Sequence, residues 1–118
     1  YSVDVSPDQR WIATGGGDTF AGILDASSCA AARSLARLSS QVRMCRFSPD
    51  SAFLATSSEE RAIDIADVLT GEQAHSVPAG GTVTAMAWHP KALALCYAVR
   101  GGKGDAFPVQ VKVMRVAN

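Results

Sequence analysis

A four-residue pattern recurs along this chain and sets its period within the range of ~40–45 residues. Phe47-Ser48-Pro49-Asp50 has one counterpart upstream, Val5-Ser6-Pro7-Asp8, and one downstream at nearly the same offset, Trp88-His89-Pro90-Lys91. Ala13-Thr14 and Ala55-Thr56 share the first offset, as do Ile23 with Ile65 and Asp25 with Asp67. A fixed period of this size means one supersecondary unit stacked on copies of itself, because a single unit cannot bury its own apolar face. The 118 residues hold about two and three-quarter copies: 1–41, 42–82 and an incomplete last copy over 83–118.

Each copy reads as short strands. Val42, Cys45 and Phe47 are spaced three then two, and Val83, Met86 and Trp88 repeat that spacing. Val3 and Val5 are its surviving end in the first copy. Such spacing does not suit a helix and predicts a strand with a bulge near its start. Ser-Pro-Asp then makes a turn, since Pro fixes φ and Asp can bond the turn backbone. A short apolar run follows, at Trp11 to Thr14, Phe53 to Thr56 and Leu93 to Val99, as expected of a strand buried on both faces. Next comes a polar turn, Gly15-Gly16-Gly17-Asp18 or Ser57-Ser58-Glu59-Glu60. A third strand should point Ile63 and Ile65 inward and Asp64 outward, with Val111 and Val113 around Lys112 as its counterpart. A weaker fourth strand is expected near Ser34 to Leu38 and near Gln73 to Val77. Ser28 to Leu38 is rich in Ala, Leu and Arg and has helical propensity, but the repeat frame makes it a turn plus the fourth strand.

Four short strands per ~40–45 residues is the period of a β-propeller blade. The expected fold is therefore all-β, a propeller fragment of about two and three-quarter four-stranded blades. Propellers close with about four to eight blades, so the chain is expected to be part of a larger ring or a shortened product. Its start at Tyr1 rather than Met agrees with that expectation. Open sheet edges at both ends predict a marginal or poorly soluble chain in isolation.

The repeat resembles the WD-repeat family, although the usual Trp-Asp ending of the third strand has become Leu24-Asp25, Ala66-Asp67 and Met114-Arg115. The Gly-His pair expected before the first strand is absent from both linkers. Of the family's buried hydrogen-bond network, Thr14 with Asp18 and Thr56 with Glu60 could supply members. Ala62-Ile63-Asp64-Ile65-Ala66-Asp67-Val68, followed by Thr70-Gly71, resembles the penultimate blade of the THO complex subunit 3 family. Val42-Arg43 and Phe47-Ser48 look like that blade's first strand, and Ala85-Met86-Ala87-Trp88-His89-Pro90-Lys91 like the start of the last blade. A polar, Gly- and Lys-containing insertion is expected there. The stretch from Pro90 to Val113 is longer than its counterpart from Pro49 to Ile65, and the excess falls within Arg100 to Pro108. The resemblance implies a nuclear, non-enzymatic scaffold that holds other THO subunits and supports messenger RNA packaging and export, with RNA reached only indirectly. Another WD-repeat adaptor, such as a ubiquitin-ligase substrate receptor or a chromatin scaffold, is the alternative.

Composition narrows the remaining classes. Eleven basic and eleven acidic side chains leave a formal charge of zero, so the chain has no global grip on a phosphate backbone. The longest apolar run, Ala92 to Val99, is far short of a membrane helix, and no polybasic stretch suits a membrane surface. No partner membrane is expected. Cys29, Cys45 and Cys96 are odd in number and widely spaced, which excludes a Cys-x-x-Cys zinc site and favours a reducing compartment.

Several constellations invite a chemical reading and none carries it. Gly15-Gly16-Gly17 is not a dinucleotide motif, because Phe20 stands where a third glycine is needed. Gly101-Gly102-Lys103-Gly104 lacks the phosphate-loop spacing. His75 and His89 have no nucleophile elbow to serve, and His89 is expected to shape its turn. Cys45 should be an inert buried thiol. Glu59 and Glu60 point different ways from a turn, and no alternating run of oxygen ligands suits calcium. No cofactor, metal or small-molecule substrate is expected.

Charge is segregated along the chain. Arg33, Arg37, Arg43 and Arg46 are the only charges between Asp25 and Asp50, whereas six of the seven from Asp50 to Glu72 are acidic. The segment from Lys91 onward is mostly basic again. This pattern fits either a solvated outer surface or a rim that selects partners. Propellers bind partners through the loops of one ring face. On that geometry the candidate contacts are Gln41 and Arg43, Glu59, Glu60 and Arg61, Thr82 and Thr84, with Lys103 on the insertion.

Overall fold

Eleven strands and no helix are found among the described residues, which in this computed structural model are 2–16, 20–35, 42–58, 62–78, 81–100 and 109–115. The strands are β1 (Ser2–Val5), β2 (Trp11–Gly15), β3 (Ala21–Asp25), β4 (Ala31–Leu35), β5 (Met44–Phe47), β6 (Phe53–Ser57), β7 (Ala62–Asp67), β8 (Gln73–Pro78), β9 (Thr82–Trp88), β10 (Ala94–Arg100) and β11 (Val109–Arg115). They form three antiparallel meanders, β1-β2-β3-β4, β5-β6-β7-β8 and β9-β10-β11. These are two four-stranded blades and one of three strands, each packed face to face on the next.

The turn after each first strand is built twice with the same atoms. Ser6 Oγ donates to Asp8 Oδ1 and accepts from the Trp11 N–H, while Asp8 Oδ1 also accepts from the Arg10 N–H. In the next blade Ser48 Oγ donates to Asp50 Oδ1 and accepts from the Phe53 N–H, and Asp50 Oδ1 accepts from the Ala52 N–H. Gln9 and Ser51 occupy the same left-handed position, at φ 65 and 64 degrees. In the third blade the Lys91 N–H donates to His89 Nδ1 at 3.0 Å, so a histidine replaces the Ser-Asp pair as the expected turn former.

The three-then-two spacing does mark a bulge. On β9 Val83 faces Val99 and Ala85 faces Ala98, leaving Thr84 as the extra residue. At β5 Met44 faces Ser57 while the Arg43 N–H also donates to the Ser57 carbonyl. A second repeated bulge sets the outer strands: Ile23 pairs with Arg33 but Leu24 with Ala31, and Ile65 with His75 but Ala66 with Gln73.

Two expectations need correction. The fourth strand of the first blade, Ala31–Leu35, starts at Ala31 rather than near Ser34, and the part of the expected strand from 36 to 38 lies outside the described residues. Asp25 Oδ1 accepts from the Ser27 and Ser28 N–H groups, and Cys29 turns left-handed at φ 58 degrees, which reverses the chain by residue 30. The helical propensity of this stretch is overridden by pairing with β3. Asp64 is not outward: it is buried, and Gln73 Nε2 donates to its Oδ1 at 2.7 Å. A blade with neighbours on both sides has no solvent face, so a carboxylate there is held by hydrogen bonds.

The core lies between blades. One cluster joins the first and second blades through Ile23, Leu35, Val42, Cys45, Phe47 and Leu54, with Trp11 packed against it. The other joins the second and third through Ile63, Ile65, Val83, Met86, Leu95 and Tyr97. Full burial of a side chain such as Ile65 or Leu54 contributes about 1.5–3 kcal/mol. Polar contacts fix the stacking. Ser2 Oγ and Asp4 Oδ2 accept from the Cys45 and Phe47 N–H groups, covering the edge strand β5 of the next blade. Trp88 Nε1 donates to the Arg46 carbonyl at 2.9 Å, tying the third blade to the second. Arg33 stacks on the Trp11 ring and donates to the Leu69 carbonyl, pinning the outer part of the first interface.

Candidate protein-contact face

Chain direction divides the loops between two ring faces. Strands β1, β5 and β9 end at the Ser-Pro-Asp and His-Pro-Lys turns, so these turns share one face. The starts of β5 and β9 and the end of β10 lie at the opposite face. There the second and third blades leave a cleft of ≈ 350 Å³ lined by Arg43, Met44, Thr82, Val83, Thr84 and Arg100. Three of the residues singled out from sequence, Arg43, Thr82 and Thr84, thus come together. Gln41, Glu59, Glu60, Arg61 and Lys103 lie outside the described residues, as does the 101–108 stretch of the insertion. Asp18 and Glu60 of the expected buried network are also outside them; Thr56, described, is buried.

The local chain explains how the cleft is built. Thr82 pairs with Arg100 across β9 and β10, and Thr84 is the bulged residue two positions on. Its Oγ1 donates to the Ala98 carbonyl at 3.4 Å. Gly81 makes the approach possible, because a Cβ there would collide with the Arg100 carbonyl oxygen and Val99 Cγ1. Arg43, Thr82, Thr84 and Arg100 are exposed, whereas Val83 is buried and anchors the strand. Met44 and Ser57 are paired and so share one sheet face, the face turned to the third blade. Ser57 Oγ is fully buried and has no hydrogen-bond partner among the described residues. Arg100 is not among the site residues that the sequence singles out. Its pairing with Thr82 depends on the bulge, which the Val83–Met86 spacing already marks.

On the opposite face, where the turns converge, apolar side chains predominate, with Arg46 among them. Pro7, Phe47, Pro49, Trp88, His89 and Pro90 line a groove there. Two turn carboxyls, Asp8 and Asp25, are favoured in their ionised forms. Hydrogen bonds from Ser6 and the Arg10 backbone lower the pKa of Asp8, and those from Ser27 and Ser28 lower that of Asp25. Burial pushes the Cys45 thiol up, against a smaller opposing contribution from Ser2. Cys29 and Cys96 are exposed and free. Among the described residues no group of three or more His, Cys, Asp or Glu side chains could hold a metal ion. No described helix is long and apolar enough to cross a membrane.

Comparison with known proteins places this architecture. The model of the anaphase-promoting complex subunit 4 WD40 domain matches residues 33–91, half of the chain, and the WD domain G-beta repeat model matches residues 1–23. The chain belongs to the WD40-repeat family. As a WD40 chain it superposes on a chain of the mitotic checkpoint complex with a TM-score of 0.81 at 23% identity, over 98% of its own length and 36% of that chain. It superposes on the β-propeller domain of Cps50 (Swd1) from Myceliophteria thermophila with a TM-score of 0.79 at 17% identity, over 99% of its length and 34% of that chain. These two likenesses establish the propeller fold. In sequence the WD40 chain is 32% identical to THO complex subunit 3 from Arabidopsis thaliana over 98 residues, 83% of its own length. It spans about a third of that relative, 31% of its length. The match agrees with the resemblance carried by Ala62 to Gly71.

Proposed function

We propose that this WD40 chain forms part of a non-enzymatic scaffold subunit of a THO-type transcription-export complex. It acts in the nucleus, holds other THO subunits through protein–protein contacts, and supports messenger RNA packaging and export. RNA is reached through the complex and not by this chain. The observation that carries the reading is the 32% identity to THO complex subunit 3 over 83% of the chain. Partner contacts are assigned to the face bearing Arg43, Thr82 and Thr84, together with Gln41, Glu59, Glu60, Arg61 and Lys103. The zero formal charge supports protein partners over nucleic acid.

A second reading is another WD-repeat adaptor, a ubiquitin-ligase substrate receptor or a chromatin scaffold. The match of residues 33–91 to the anaphase-promoting complex subunit 4 WD40 domain favours it. Affinity purification of the tagged, intact endogenous protein from nuclear extract, with partners identified by mass spectrometry, separates the two. THO subunits recovered in near-equal amounts after nuclease treatment are the expected result. A different stable set of partners in their place overturns the first reading and leaves the adaptor reading.

A further inference from the structure

The first and third blades each turn one face away from the second, and both faces repeat the layout of faces that are buried inside the chain. On the first blade Val3 and Val5 are exposed, and Val5 pairs with Ile12 on the same sheet face. The register makes Val3, Val5 and Ile12 the equivalents of Cys45, Phe47 and Leu54, which pack against the first blade. On the third blade Ala85, Ala87, Cys96 and Ala98 share the outer face and line a hollow of ≈ 220 Å³. Cys96 stands where Ala13 and Ala55 stand in the other blades, and Ala98 where Gly15 and Ser57 stand. All four of those counterparts are buried. A Cβ at Gly15 would collide with Val42 Cγ1 of the next blade. Small residues at these two positions let a following blade approach closely, and the third blade keeps them although Cys96 is exposed.

We propose that these two faces fit each other, so that a second copy of this chain docks head-to-tail, the first blade of one copy on the third blade of the other. Val3, Val5 and Ile12 of one copy then meet Cys96 and Ala98 of the other, as Cys45, Phe47 and Leu54 meet Ala13 within the chain. A second copy is the occupant because the contact continues an interface that the chain already makes twice, between its own blades. The two copies contribute different faces, so the contact is heterologous. It is also apolar. Within the chain Ser2 and Asp4 accept from N–H groups of the next blade's edge strand. Their equivalents Ala85 and Ala87 have no side-chain acceptor, so association should strengthen as sulfate is added. In dilute solution the copies separate and both faces are open. Such pairing is independent of the THO assignment.

Analytical ultracentrifugation of the 118-residue chain tests the pairing. The wild-type mass should rise from that of a monomer as concentration increases. Val3→Glu and Cys96→Glu each place a charge on one of the two faces, and each should weaken self-association more than about tenfold. Mixed in equal amounts, the two variants should pair, since each supplies the face that the other lacks, and their association should stop at a dimer. Leu69→Glu, on an exposed turn of the second blade, should associate like the wild type. Circular dichroism checks that each variant keeps its strands, and Val5→Glu with Ala87→Glu serves as a second pair. A wild-type chain that stays monomeric at every concentration, self-association unchanged by either charge, a mixture no larger than its separate variants, or an equal loss in Leu69→Glu each overturns the proposal.

Discussion

The second blade and the outward faces of its neighbours use the same strand positions with opposite results. Cys45 and Phe47 on β5 are 0% and 6% exposed, whereas their equivalents Val3 and Val5 on β1 are 68% and 53% exposed. Ile65 on β7 is 0% exposed and its equivalent Val113 on β11 is 68% exposed. The residue classes match and the register matches. The difference is the neighbour: β5 lies under the first blade, β7 against the third, and among the described residues none covers Val3 and Val5 on the outer face of β1 or Val113 on β11. In a stacked repeat, an apolar position becomes core through the adjacent unit and not through its own strand.

That contrast can be broken with single substitutions. The largest effect is expected for Ile65→Ala, which opens a cavity between the second and third blades. It should cost about 2–5 kcal/mol in urea unfolding of the 118-residue chain, against less than about 1 kcal/mol for Val113→Ala. Equal losses at the two sites would remove the distinction between covered and uncovered faces. Ser48→Ala comes next. It strips the Phe53 N–H and Asp50 of a partner in a turn whose serine is fully buried, and should cost about 1–3 kcal/mol in the same assay. Ser6→Ala, in the turn of the blade covered on one side only, should cost less.

Arg33→Ala removes the stack on Trp11 and the bond to the Leu69 carbonyl, both on the covered side of the first blade. A loss of about 1 kcal/mol is expected, with a red shift of tryptophan emission as the Trp11 ring becomes wetter. An unchanged spectrum would mean that Arg33 does not hold that ring. The smallest effect concerns pH. The carboxyls of Asp8 and Asp25 have folded pKa values below the ordinary 3.8. Their stabilising contribution is therefore full above that value and is lost as pH falls through the lower folded pKa. Asp25→Asn should flatten the acid limb of a stability-against-pH curve slightly, and a steeper limb would reverse the assignment.

Much of this organisation is legible in the residues themselves. The Ser-Pro-Asp turns read correctly because their bonds join near neighbours in the chain, such as Ser6 with Asp8 and Trp11, within reach of a local pattern. The bulge at Thr84 reads correctly because the Val83–Met86 spacing carries the extra residue. Asp64 reads wrongly: alternation along β7 sends it outward, and only the first blade packed on that face buries it. The cleft is legible in part. Arg43, Thr82 and Thr84 follow from the repeat frame, but Arg100 joins them only through pairing across the bulge and the close approach at Gly81. The start of β4 is not legible, because a left-handed Cys29 shortens the preceding turn and no sequence rule requires a cysteine there.

Native-state alkylation of the folded 118-residue chain as a dilute monomer, read thiol by thiol by mass spectrometry, tests the contrast most directly. Cys45 sits on the covered face of β5 with its pKa raised by burial, Cys96 on the uncovered face of β10, and Cys29 on an exposed turn. Cys29 and Cys96 should react at similar rates, with Cys45 protected until the chain unfolds. Labelling of Cys45 as fast as Cys96, or protection of Cys96 in the folded chain, would contradict the account.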